Sequence, residues 1–236
     1  MIHEINIGTM DWEFVFHDRT DAAKKTPWAM NDLSHCRLSG DLSALLDTDV
    51  PRIAVIGSRD PSPEDRSETE TVIREIAQQC EGMDAKPVII SGLACGTDTT
   101  AHQCALKYGL PTVAVVATGL DTVYPYKNKE LASEILRSPG SGILTQFPDE
   151  TAPMAINFFD RNRTIALMSN MVIVTCSKAR GGSLMTARYA ASLDIPVYCL
   201  PGRVSDMRHV GTNQLFIEGT AKMLPSLSEV SVRTLF

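Results

Sequence analysis

Five short segments of small residues each follow an apolar run in this sequence, and each holds residues suited to meeting an anion. They are Gly57-Ser58-Arg59, Ser91-Gly92-Leu93-Ala94-Cys95-Gly96-Thr97-Asp98, Ala117-Thr118-Gly119-Leu120-Asp121, Ser177 to Ser183, and Pro201-Gly202-Arg203. Glycine lets the backbone approach an anion and adopt positive φ. A helix that starts there presents unpaired N–H groups to the same anion. Ser177-Lys178-Ala179-Arg180-Gly181-Gly182-Ser183 carries the strongest version, with paired glycines, two cations and a serine suited to cap the next helix. Gly57, Ser58 and Arg59 form a second candidate contact. Gly96 and Thr97 form a third, with Thr97 or Asp98 as the expected helix cap.

Asp160-Arg161-Asn162-Arg163 precedes the apolar run Thr164-Ile165-Ala166-Leu167-Met168. Two arginines at a helix start oppose the helix dipole, and bidentate phosphate contact would give them a use. The alternative is that one arginine pairs with a core carboxylate and the other faces solvent. Other chemistries find less support. The residues after Gly57 are Ser58, Arg59, Asp60, Pro61, Ser62 and Pro63, so the GxGxxG of a dinucleotide site is missing. Ser177 to Ser183 does not satisfy GxxxxGK[ST]. Cys95 has no base beside it, and His102, one turn into a helical pattern, reads as a structural residue. None of the six cysteines forms a CxxC pair, which argues against structural zinc. No catalytic residue, cofactor or metal is expected.

These loops need a frame. Apolar runs at Ile53–Ile56, Val88–Ile90, Thr112–Val116, Ile143–Phe147, Met171–Thr175 and Val197–Leu200 have the length and β-branching of strands buried on both faces of a parallel sheet. Helical patterns lie between them at Pro63–Gln79, Thr97–Tyr108, Lys127–Leu136, Arg161–Met168, Ser183–Leu193 and Asn213–Glu218. The alternation predicts an α/β, Rossmann-like, doubly wound and mostly parallel sheet, with ligands outside the carboxyl ends of its strands. Trp12, Phe14, Phe16 and Trp28 are scattered without a period, so residues 1–50 read as an N-terminal extension packed on a core of 51–225, with 226–236 as a tail.

A chain of 236 residues with 44% hydrophobic content can bury a sizeable core. Its formal net charge of −6 argues against a protein that coats nucleic acid all over. Yet the segment Arg161–Arg208 holds Arg161, Arg163, Lys178, Arg180, Arg188, Arg203 and Arg208 against Asp194 and Asp206. A basic face on an acidic body suits local binding of a polyanion. No signal peptide is visible and no apolar stretch has membrane-spanning length, so the reading is a cytoplasmic protein without a membrane segment.

Taken in order, these motifs resemble the DprA/Smf (DNA-processing protein A) family. The resemblance runs through Gly57-Ser58-Arg59, Ser91-Gly92-Leu93-Ala94, Gly96-Thr97-Asp98, Ala101-His102, Gly119-Leu120-Asp121, Tyr124-Pro125 and Asn128. It continues through Arg161-Asn162-Arg163, Gly182-Ser183-Leu184-Met185-Thr186-Ala187, Pro201-Gly202 and Gly211-Thr212-Asn213. It implies an extended Rossmann-like domain that binds single-stranded DNA as a homodimer, acts in natural transformation and recombination, and helps load the RecA recombinase. The DNA or phosphate contacts it implies are Arg59, Lys127, Arg161, Arg163 and Lys178 or Arg180. Cys95 stands where the family has arginine, Tyr126 where a basic residue follows the Tyr-Pro pair, Phe159 where proline precedes the Arg-Asn-Arg run, and Gln214 where arginine follows the Gly-Thr-Asn run.

A second reading of the same superfold is a nucleotide-sensing module, since fold alone does not set function. A phosphoribohydrolase-like enzyme is a further alternative, but Gly181-Gly182-Ser183-Leu184-Met185-Thr186 lacks the proline and the acid of that branch's PGGxGTxxE signature.

Overall fold

The computed structural model describes residues 5–7, 36–41, 43–203 and 205–224. Trp12, Phe14, Phe16, Trp28 and the 226–236 tail lie outside the described residues. The strands are β1 (Ile5–Ile7), β2 (Cys36–Gly40), β3 (Arg52–Ile56), β4 (Val88–Ser91), β5 (Thr112–Val116), β6 (Gly142–Thr145), β7 (Met171–Val174), β8 (Val197–Cys199) and β9 (Lys222–Met223). The helices are α1 (Ser43–Leu46), α2 (Pro63–Gln79), α3 (Thr97–Lys107), α4 (Lys129–Arg137), α5 (Ala155–Leu167), α6 (Gly182–Ser192) and α7 (Val210–Ile217), with a 3-10 turn at Tyr126–Asn128 before α4.

The described strands form one sheet in the order β1-β2-β6-β5-β4-β3-β7-β8-β9. From β6 to β9 every pairing is parallel. β2 lies antiparallel to β6 and β1 antiparallel to β2. Within the stretch read as an extension, residues 5–7 and 36–40 thus continue the sheet by one strand each.

Strand alternation assigns the two layers of helices. Ile53, Val55, Ile89 and Ile173 pack with Val72, Ile73 and Ile76 of α2 and with Ala101 and Ala105 of α3. One residue along, Ala54, Ile56, Ile90, Val172 and Val174 face the other way, against Ile165 and Ala166 of α5 and Leu184, Ala187 and Ala190 of α6. Leu131, Ala132 and Ile135 of α4 cover Ala114, Val116 and Ile143. All five residues of β3 and of β5 are buried, as expected for strands covered on both faces. This is the doubly wound α/β sheet that the alternating pattern predicts.

Helix α7 starts at Val210 rather than Asn213 and β6 ends at Thr145 rather than Phe147; two further differences from the sequence reading bear on the site. The segment Tyr126–Asn128 is a 3-10 turn, and the α-helix behind it starts at Lys129 rather than Lys127. Helix α5 starts at Ala155, six residues before Arg161. Met154, with extended backbone, caps it without a side-chain bond. Arg161 and Arg163 therefore do not oppose a dipole at a helix start, because both lie well inside α5.

The sheet order also sets where a ligand can sit. From β3, the strands β4, β5 and β6 are added on one side and β7, β8 and β9 on the other. The connections leaving β3 and β7 go to opposite faces, which opens a crevice at their carboxyl ends.

Candidate functional site

A cleft of about 920 Å³ occupies that crevice. One wall is the loop after β3, with Gly57, Ser58, Arg59 and Asp60; another is the loop after β7 and the first turn of α6, from Ser177 to Thr186. The third is α5, which contributes Ala155, Phe158, Phe159 and Asn162, with Arg161 and Ile165 deeper in. Residues 155, 158, 159 and 162 follow helical i, i+3, i+4, i+7 spacing, so one stripe of α5 faces the cleft. A smaller cleft shares Arg59, Ala94 and Phe158 and adds Gly92, Cys95, Ala117, Thr118, Tyr124 and Pro125.

The open end of α6 is the clearest anion-facing feature. Gly181 stands at the N-cap and offers no side chain to the first turn. Its N–H donates to the Lys178 carbonyl at 2.9 Å, which closes the loop back on itself. Ser183 is buried rather than a cap, and its hydroxyl donates to Ser177 Oγ at 2.9 Å. Arg180 is exposed on the cleft and makes no ion pair among the described residues. Lys178 pairs with Asp60 across the mouth at 3.1 Å, both largely exposed. Such a pair contributes at most about 1 kcal/mol, so a phosphate can replace the carboxylate. Arg188 also lines the cleft but holds Glu218 in a bidentate pair at 3.0 and 2.9 Å.

Arg59 is exposed and lies over the Phe158 ring, with its guanidinium carbon 5.0 Å from the centroid. Tyr124 meets the same ring edge-on at 5.8 Å. Arg59 and Phe158 therefore stand together between the two clefts, an aromatic face beside an exposed charge.

Other expected contacts are placed differently. Arg161 is 3% exposed, and its Nη1 donates to the Gly92 carbonyl at 2.5 Å and the Val115 carbonyl at 3.0 Å. It ties the ends of β4 and β5 to α5 beneath the rim. A Cβ at Gly92 would overlap the guanidinium, which explains the glycine there. Asp98 lies in the same buried pocket. Burial pushes its carboxyl pKa up, while Arg161, the Ala94 N–H and Arg59 pull it down. Arg163 pairs with Asp160 at 3.1 Å and lines neither cleft. Of the two arginines, then, one is sunk near a carboxylate and the other is held by its own helix, so neither stands on the rim.

Gly96 and Thr97 are also structural. Gly96 has φ of +84°, and a Cβ there would lie 2.7 Å from the Arg59 carbonyl carbon. Thr97 is fully buried, and its N–H donates to the Ser58 carbonyl at 3.0 Å. The start of α3 is thus occupied by the loop that carries Arg59, not open to a ligand. Neither Thr97 nor Asp98 is its cap; Gly96 is, and Asp98 Oδ2 instead accepts the Ala94 N–H at 3.2 Å. Gly57 sits against Thr97, with a Cβ there 2.5 Å from Thr97 Oγ1. Lys127 is exposed on the 3-10 turn and lines neither cleft.

His102 is fully buried. Its Nδ1 donates to Thr112 Oγ1 at 2.7 Å, because that hydroxyl already donates to the Ile89 carbonyl at 2.8 Å. Burial, with Arg161 nearby, lowers its pKa to about 3, so the imidazole is neutral. Among the described residues no cluster of three metal-ligating side chains occurs, and no helix is long and apolar enough to cross a membrane.

Sequence reasoning missed Asp60, which holds Lys178, and the supporting role of Asn128. The amide of Asn128 donates to the Leu93 carbonyl at 2.8 Å and to Thr99 Oγ1 at 2.9 Å, fixing the loop after β4. A single Asp beside Arg59 and a single Asn before a helix carry no local signal of such distant partners.

Comparison with known proteins agrees with this frame. The sequence pattern described as DNA recombination-mediator protein A matches residues 36–234. DNA processing protein DprA of Streptococcus pneumoniae is 35% identical over 208 residues, which cover 86% of this chain and 69% of that protein. Its X-ray structure superposes with a TM-score of 0.80 at 31% identity, covering 97% of this chain and 73% of that one. Protein Smf of Escherichia coli is 37% identical over 141 residues, covering 59% of this chain and 37% of that protein. DNA processing protein A of Helicobacter pylori, whose structure describes a single-stranded DNA binding mode, superposes with a TM-score of 0.74 at 29% identity, covering 87% of this chain and 89% of that one. Sequence pattern, relatives and fold converge: the chain belongs to the DNA recombination-mediator protein A (DprA/Smf) family.

Proposed function

We propose that this protein binds single-stranded DNA in the cleft between the carboxyl ends of β3 and β7 and acts in DNA processing and recombination. The observation that carries the reading is the open N-terminus of α6 with Lys178 and Arg180 beside it and Arg59 on the facing loop. Cations neutralise successive phosphates, and the N–H groups of Gly182 and Ser183 at the start of α6 add uncharged donors. The glycines keep that backbone accessible. The rim holds no base-reading array, so the binding is weakly selective for sequence.

The reading is of a binder and not a catalyst. His102 is buried and neutral, Thr97 is enclosed, and on the rim Lys178 pairs with Asp60 while Arg59 lies over Phe158, neither beside a nucleophile and its base. Family membership supports extending the proposal to a homodimer that passes the strand to RecA during transformation.

The test is fluorescence anisotropy of a labelled oligo-dT at two salt concentrations, comparing wild type with Lys178→Glu/Arg180→Glu. Both residues are exposed, so the double variant keeps the fold. Wild type should bind with a log–log salt slope of about −0.7 per phosphate contact. The variant should bind at least about tenfold more weakly, as expected for loss of roughly 1.4 kcal/mol. Absence of wild-type binding at low salt, or an unchanged variant, would overturn the proposal; small nucleotides would then be titrated against the same cleft.

A further inference from the structure

Four aromatic residues stand near the two clefts, and their surroundings separate them. Phe158 is engaged: Arg59 lies 5.0 Å and Arg161 5.7 Å from its centroid, and Tyr124 meets its edge. Tyr124 is held by that same contact. Tyr126 is the most exposed at 76%, but it lines neither cleft and carries the Lys129 ammonium 5.6 Å from its ring centre. Phe159 differs from all three. It lines the large cleft, is 40% exposed, and makes no ring or cation contact among the described residues.

Its position on α5 explains why the ring is available. Phe159 shares the cleft-facing stripe with Ala155, Phe158 and Asn162. The same cleft is lined by Lys178, Arg180 and the first turn of α6. One cleft therefore offers cations and free N–H groups together with an uncommitted aromatic face. A nucleotide has the matching halves: an anionic phosphate, and a planar base whose π-face stacks on an aromatic ring irrespective of base identity.

We infer that Phe159 is a base-stacking platform, which holds one nucleobase of a strand whose phosphates lie on the Lys178–Arg180 loop. The inference rests on the single-strand reading above. It makes affinity depend on the presence of bases and not on charge alone.

The test compares wild type, Phe159→Ala and Phe159→Trp on labelled oligo-dT and on an abasic oligomer of equal length, by anisotropy at one low salt concentration, with sedimentation velocity alongside. Stacking of one base predicts that Phe159→Ala weakens oligo-dT binding about fivefold or more. Its affinity for the abasic strand should stay at the wild-type value, and Phe159→Trp should restore oligo-dT binding. Equal loss on both strands, or no loss on oligo-dT while wild type binds it, would overturn the inference and leave the single-strand reading standing. A changed sedimentation coefficient for Phe159→Ala would overturn it too, by assigning the ring to a contact between chains. Failure of wild type to bind either strand would remove the single-strand reading, and this inference with it.

Discussion

The loops after β4 and after β7 look alike as sequence and behave in opposite ways. Both run from an apolar strand through glycine into a helix, as Ser91-Gly92-Leu93-Ala94-Cys95-Gly96-Thr97 and as Ser177-Lys178-Ala179-Arg180-Gly181-Gly182-Ser183. In the first, the protein itself fills the anion-facing position. The Ser58 carbonyl accepts the Thr97 N–H, Asp98 accepts the Ala94 N–H, and the Asn128 amide holds the Leu93 carbonyl. In the second, the first turn of α6 faces a cleft beside Lys178 and Arg180. A glycine-rich turn before a helix thus creates donors, but neighbouring chain segments decide whether those donors are free. The filled loop is a support for Arg59, and the open one is the candidate ligand surface.

The largest expected effect lies on the filled side. Replacing Arg161 by Met leaves the Gly92 and Val115 carbonyls and the Asp98 carboxyl in a buried pocket without their cation. Each buried carbonyl left without its donor costs about 1–3 kcal/mol, and the loss is read as a lower urea midpoint at unchanged slope. A variant of unchanged stability would show that Arg161 is not a structural tie.

The next effect is a dependence of stability on pH. His102 has a pKa of about 3 in the fold, against about 6.5 unfolded. The unfolded chain therefore binds the extra proton first, and the stability that the neutral imidazole contributes is lost as pH falls from about 6.5 toward 3. By pH 5 this loss amounts to about 2 kcal/mol. Asp98, whose pKa is raised by burial, works in the opposite sense, so the measurement is a difference. His102→Gln should remove the His102 part of the slope between pH 6.5 and 5, and a slope unchanged in the variant would assign it elsewhere.

The smallest effect uses one substitution on each side. Gly96→Ala puts a Cβ at φ +84° against the loop after β3 and should destabilise by about 1–3 kcal/mol. Gly182→Ala meets nothing closer than the Asn162 amide at 3.5 Å and should stabilise by about 0.5 kcal/mol through lower unfolded-state entropy. Thermal melts of the two variants should therefore move in opposite directions. Movement in the same direction would break the distinction between a filled and an open helix start.

The sequence by itself determined the layered α/β frame. Ile53–Ile56 and Thr112–Val116 read as strands because a strand covered on both faces must be apolar along its whole length, and Pro63–Gln79 read as a helix because Val72, Ile73, Ile76 and Ala77 fall on one side of an otherwise polar segment. It also placed the glycine-rich turns at strand ends and held the resemblance that the family comparison bears out. The tertiary structure alone decided which of those turns is open. Arg161 and Arg180 are the same residue type, yet one is sunk beneath β4 and β5 and the other faces the cleft. Helix α5 begins earlier than its arginines suggest, and the sequence does not mark that start because Met154 at the N-cap has no side-chain acceptor. Strand periodicity and helix capping are set by residues a few positions apart, and so are written locally. Access to an N–H group or a guanidinium depends on partners tens of residues away, such as Ser58 for Thr97 and Gly92 for Arg161, and only the packed chain brings them together.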